Sequence, residues 1–290
     1  MKRDTLNFKL IAIVIVGLLL RLNYFIGLNW SDDVHYVYLA NQVLEGNFVP
    51  SYMSSLRLAM IFPLSFFFKL FGYNQFSAVL YPLICSIGNI VLAYLIGKLV
   101  INEKVGLIAA IIMVFYPLDV NYSTWIMPDV PLSFFHALSF YLFLLGEREN
   151  SKSKIILAGI FGGISYLLKL SGLLIWVFFI LYIFIKTLLR KKFEKIYIFL
   201  FLGFSIILLL EALYYYLTTN NPLLRLHSGF DYFTQKERLK YEFNTDLTFY
   251  PKVIFNLDYN WRFMFNNKYT YFGFFYYLFA ISTIYILLKR

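Results

Sequence analysis

The sequence predicts an all-α, polytopic membrane protein of about eight transmembrane helices, and three observations carry that reading. Hydrophobic residues make up 60% of the 290-residue chain and charged residues only 14%, far from the usage of soluble domains. The apolar residues gather into runs that approach the roughly 20 residues needed to cross hydrocarbon. The Lys and Arg residues behind a net charge of +10 sit in short clusters between those runs, not along one face as in a nucleic-acid binder. Membrane orientation accounts for the charge, and no nucleic-acid partner is expected. No strand pattern or soluble linker divides the chain, so residues 1–290 read as a single membrane domain. Cys85, the sole cysteine, lies inside an apolar run and excludes both intrachain disulfides and cysteine metal sites.

The first run, residues 8–28, follows Met-Lys-Arg, is too long for a signal h-region and lacks an A-x-A-like cleavage site. It reads as an uncleaved first span, with Arg21 snorkelling from its far end. Further runs cover 77–100, 106–118, 130–146, 155–168, 172–189, 195–217 and 271–288. The shorter ones need flanking residues such as Tyr116 and Trp125 to complete a crossing. The segment 56–71 contains Pro63 and carries Arg57 and Lys69 near its ends. If it does not span, every short basic cluster, including Arg190, Lys191, Lys192 and Lys195, falls on one side, as the positive-inside rule requires. It is therefore placed as an outer interfacial or re-entrant helix. The N-terminus is then cytoplasmic, and the outside receives a first external loop at 29–73, the loops 119–129 and 169–172, and a second large segment at 218–270. A plasma membrane location fits this topology, which the endoplasmic reticulum shares.

The candidate chemistry lies on that outer side. Ser31 is a plausible N-cap for a helix that Asp32 and Asp33 open and Gly46 closes. Carboxylates at a helix start are often dipole complements, but these follow the first span directly, where a lipid headgroup reaches. Asp129 opens another span, with Pro131 in its first turn. Lys169 interrupts a run otherwise free of charge; it either snorkels or binds phosphate as a compact point charge. Arg57, Arg225 and His227 are further candidates. Nothing matches HExxH, a P-loop or GxGxxG, so a nucleotide-consuming site is not expected.

In order and sidedness these features resemble the GT-C superfamily of membrane glycosyltransferases, in the branch with protein O-mannosyltransferases and the lipid A aminoarabinose transferase. Arg21-Leu22, then Asp32-Asp33-Val34-His35-Tyr36 with Ala40 and Gly46, is similar to the branch's Asp-Glu-x-x-aromatic motif, with Asp in second place as a departure. Arg57 to Gly72 looks like the juxtamembrane helix of the first external loop, and Asp129 and Lys169 follow in the family's order. The resemblance implies a polyprenyl-phosphate-linked sugar donor, transfer with inversion on the outer leaflet, and a protein, glycan or lipid acceptor. It implies catalytic carboxylates among Asp32, Asp33 and Asp129, with Asp32 as general base, and Lys169, Arg57 and Arg225 on the lipid phosphate. His227 parallels a metal-binding histidine of the aminoarabinose branch, so a divalent metal is the one cofactor to test. Members are usually longer, which implies a short or truncated chain. The rival readings are a transporter or lipid flippase, and a catalytically silent assembly partner.

Overall fold

The computed structural model describes residues 8–29 and 31–234. The chain divides into two units, Met1–Ser228 and Gly229–Arg290, and every side chain discussed below belongs to the first. The expected last span at 271–288, most of the segment 218–270, Lys2 and Arg3 lie outside the described residues.

The described residues form eleven α-helices. These are α1 (Phe8–Asn23), α2 (Asp32–Glu45), α3 (Leu58–Phe71), α4 (Gln75–Val100), α5 (Glu103–Val114), α6 (Pro117–Tyr122), α7 (Asp129–Glu149), α8 (Lys152–Leu168), α9 (Leu174–Arg190), α10 (Ile198–Thr219) and α11 (Leu224–Thr234). Short 3-10 turns, Leu170–Leu173 and Lys195–Tyr197, lead into α9 and α10. Among the described residues the only β pairing outside these helices is an isolated bridge between Gly27 and Trp125.

Among the described residues four stretches are long and apolar enough to cross a membrane: Gln75–Val100, Asp129–Glu149, Leu170–Arg190 and Lys195–Thr219. Three other expected spans are helices, but shorter: α1 has 16 residues, α5 has 12 and α8 has 17. The run at 106–118 is cut at Val114, so α5 reaches only about 18 Å at 1.5 Å per residue. Pro117 is the cause: it forces Tyr116 into an extended conformation (ψ 110°) and begins α6 at its own first position. Within the segment 56–71 lies the 14-residue α3, packed against α2, α4 and α8.

α8 packs between α7 and α10, and α4 packs against α5 and α7. The α8–α10 contact is a close backbone approach. A Cβ on Gly159 would meet the Leu200 carbonyl, and one on Gly203 the Ile156 carbonyl, so each helix offers a glycine to the other's backbone.

Arg21 does not snorkel. It is fully buried and pairs with Asp119 of α6 at 2.7 Å. Its guanidinium also donates to Ser86 Oγ and to the carbonyls of Gly17 (3.0 Å), Val114 and Met113 (both 3.3 Å). Asn89 Nδ2 donates to the other Asp119 oxygen (3.0 Å) and to Ser133 Oγ (2.8 Å). A buried charge needs this partnering, and the network pins α1, α4, α6 and α7 together. The bundle thereby acquires two unlike ends. One carries Asp119, Asp129, Lys169 and the start of α3; at the other, Lys186 meets Glu147 (2.6 Å) and Arg148 reaches the Leu99 carbonyl (3.4 Å).

Candidate functional site

The approach to α2 is fastened to the approach to α7. The N–H of Gly27 donates to the Thr124 carbonyl (3.2 Å) and that of Ile26 to Thr124 Oγ1 (2.9 Å). Gly27 sits at φ +71°, and a Cβ there would run into the Gln75 side chain, so only glycine suits the bridge. Asp32 and Asp129, far apart in sequence, thus start helices from one laced pair of loops.

The two adjacent carboxylates separate by environment. Asp33 is fully buried; its Oδ1 accepts from the Ser31 N–H (2.6 Å) and its Oδ2 from the Asn29 N–H. Ser31 makes no side-chain cap bond, so Asp33 reaches back and closes the turn in its place. That engagement holds the Asp33 carboxylate against the backbone of the turn before α2. Asp32 is exposed. One helical turn along the same face is Tyr36, whose ring lies under the Arg57 guanidinium at 5.4 Å. Beside them His35 meets the Tyr52 hydroxyl and packs near Tyr38.

Lys169 and Asp129 touch. Lys169 Nζ lies 3.0 Å from Asp129 Oδ1, with the side chains 40% and 41% exposed. Arg225, expected among the phosphate ligands, is elsewhere. Its side chain is 6% exposed, paired with Glu211 at 2.5 Å, and it donates to the Leu56 and Tyr166 carbonyls. Magnitude decides which cation a ligand can recruit. A half-exposed pair such as Lys169–Asp129 is worth about 0–1 kcal/mol and separates at little cost. Extracting Arg225 would strand Glu211, at a cost of about 3–5 kcal/mol, so Arg225 acts as an internal clamp between α10, α11 and the segment before α3.

Glu211 escaped the sequence reading, although a lone carboxylate in the apolar run of α10 was the signal for it. His227 is exposed and bonded to Asn221 (3.0 Å). Among the described residues no three His, Cys, Asp or Glu side chains converge as a metal site.

The remaining candidates surround one core. Tyr36, Val130 and Leu168, neighbours of Arg57, Asp129 and Lys169, belong to a single buried cluster with Met60, Ile61 and Ile126. Two buried polar atoms without a hydrogen-bond partner among the described residues, Tyr36 Oη and Trp125 Nε1, lie in these same segments.

No curated protein matches the chain. In fold it is similar to the archaeal oligosaccharyltransferase AglB from Archaeoglobus fulgidus, solved in complex with an inhibitory peptide and a dolichol-phosphate, with a TM-score of 0.60 over 97% of this chain at 13% identity. The chain spans 37% of that protein's length. The sequence itself is matched, over residues 58–215, by the family model for dolichyl-phosphate-mannose-protein mannosyltransferase. That match runs from the start of α3 almost to the end of α10 and takes in more than half of the chain, so the protein belongs to this family of GT-C type glycosyltransferases.

Proposed function

We propose that the protein transfers a sugar from a polyprenyl-phosphate carrier, with inversion, to a protein, glycan or lipid acceptor. The reading extends to about eight crossings, α3 at the outer interface of a first external loop, a cytoplasmic N-terminus, and a site on the outer face of a plasma membrane. The observation that carries it is the half-exposed Lys169–Asp129 pair at the bundle end that also presents Asp32 and Arg57. Family membership supports the donor class, and AglB was solved with a dolichol-phosphate and a peptide.

In this reading the acceptor oxygen attacks the anomeric carbon while the bond from that carbon to the phosphate oxygen breaks. The lipid phosphate leaves with the electron pair, and the acceptor proton passes to Asp32. Lys169 and Arg57 meet the charge that develops on the departing phosphate, and Asp129 holds Lys169 until the phosphate replaces it. Asp33 keeps the start of α2 in place, and with it Asp32. Tyr36 Oη and Trp125 Nε1 offer a polar ligand two donors that are unpaired among the described residues.

The test is transfer of labelled sugar from a synthetic polyprenyl-phosphate sugar by the full chain in proteoliposomes. Asp32→Asn is expected to lower turnover about 10²- to 10⁴-fold with carrier binding retained, and Lys169→Met to weaken carrier binding. Wild-type turnover in Asp32→Asn would remove Asp32 as the base. Carrier flux across the bilayer without any transfer would favour the flippase reading instead.

A further inference from the structure

The opposite end of the bundle holds a concave site that the transfer chemistry does not use. A cavity of about 980 Å³ opens between the α7–α8 and α9–α10 connections, lined by Asn150, Lys152, Arg190, Lys192 and Lys195 together with Glu194, Ile196, Ile198 and Phe199. Its shape comes from two tight helix ends: Asn150 and Lys191 both adopt left-handed φ of 51°. They stop α7 and α9 abruptly and bring the first residue of α8 toward 192–195.

We propose that this cavity binds the phosphate headgroup of an anionic membrane phospholipid. Four cations line it against one carboxylate, and that carboxylate is engaged, Glu194 lying 2.6 Å from Arg190 and 3.4 Å from Lys186. Lys152, Lys192 and Lys195 have no carboxylate partner among the described residues. Lys152 instead sits 5.2 Å over the Phe199 ring. The start of α8, where Lys152 stands, has no side-chain cap from Ser151, and its positive helix end adds to the field.

The lining also separates a lipid from a free anion. The apolar wall of Ile196, Ile198 and Phe199 continues onto the outer face of α10, where Ile198, Phe201 and Leu202 are exposed, and Leu189 of α9 is 80% exposed. An acyl chain leaving the cavity meets a surface already suited to hydrocarbon, whereas inorganic phosphate gains nothing from it. Basic pockets between helices at a membrane surface have this composition.

The experiment is lipid binding to the detergent-purified full chain by native mass spectrometry, with phosphatidylglycerol against phosphatidylcholine. Wild type is expected to retain one phosphatidylglycerol in preference to phosphatidylcholine. The triple variant Lys152→Gln, Lys192→Gln, Lys195→Gln is expected to lose that preference, on the order of a hundredfold in affinity for three lysines near an anionic headgroup. A control triple at the same end but outside the cavity, Lys9→Gln, Lys104→Gln, Lys154→Gln, should keep it. Equal loss in both triples would mean diffuse surface charge and overturn the site. Displacement of the lipid by millimolar inorganic phosphate would assign the cavity to a free anion and overturn the lipid.

Discussion

Adjacent carboxylates in a sequence are chemically alike until their surroundings divide them. Asp33 accepts two backbone N–H groups inside the protein while Asp32 faces outward, and a one-residue step around α2 is enough to do this. The same residue-scale reasoning applies to His35, which contacts Tyr52 and neighbours Asp32 and Tyr38. Partial burial pushes its imidazole below the ordinary 6.5, with the Asp32 carboxylate pulling the other way. The folded protein therefore binds that proton less readily than the unfolded chain does. The contribution of His35 to stability is complete above pH 6.5 and is lost as pH falls through the lower folded value. Melting temperatures followed downward from neutral pH should show an acid limb in wild type that flattens in His35→Gln. An unchanged limb would assign it to other groups.

At the scale of elements, glycines and prolines explain what apolar runs alone do not. Pro117 ends one helix and begins another, which is why α5 stops short of the length its apolar run suggested. Gly159 and Gly203 let α8 and α10 approach backbone to backbone. Gly159→Ala or Gly203→Ala places a methyl against a carbonyl that cannot move without its whole helix. Each should destabilise by about 1–3 kcal/mol, the cost of overpacking, read as a lower melting temperature in detergent. Gly46→Ala serves as comparison: its left-handed φ of 75° is strained for alanine, but a Cβ there meets nothing within 4 Å, so its cost is local to the end of α2.

At the scale of the molecule, two buried ion pairs among the described residues do the long-range fastening. Arg21–Asp119 joins the first helix to the middle of the chain, and Arg225–Glu211 joins α11 to α10 and to the turn before α3. Arg21→Met leaves the Asp119 carboxylate buried without its cation and should cost about 3–5 kcal/mol. Arg21→Met with Asp119→Leu should recover most of that loss, since a matched apolar pair can replace a buried ion pair at little cost. Thermal unfolding of both variants checks this. Additive losses in the double variant would mean that the network stabilises through its hydrogen bonds to Ser86 and Asn89 more than through charge.

The all-helical membrane character, the limits of α2 from Asp32 to Gly46 and the existence of a short apolar helix within 56–71 were legible in the sequence. Each follows from local pattern: hydropathy over one helix length or a left-handed glycine. The pairing of Lys169 with Asp129 was legible only as a shared side, because a 3.0 Å contact between residues 40 positions apart is a property of packing. What tertiary structure alone decided is which polar groups are engaged. Arg21, Asp33 and Arg225 read in sequence as charges near a surface, yet each is buried, Arg21 and Arg225 among partners drawn from other segments and Asp33 against the backbone of its own turn. Crossing a membrane several times thus fixes where charges are affordable, while the packing of the helices against one another determines which are buried and which, like Asp32, Arg57, Asp129 and Lys169, keep accessible surface.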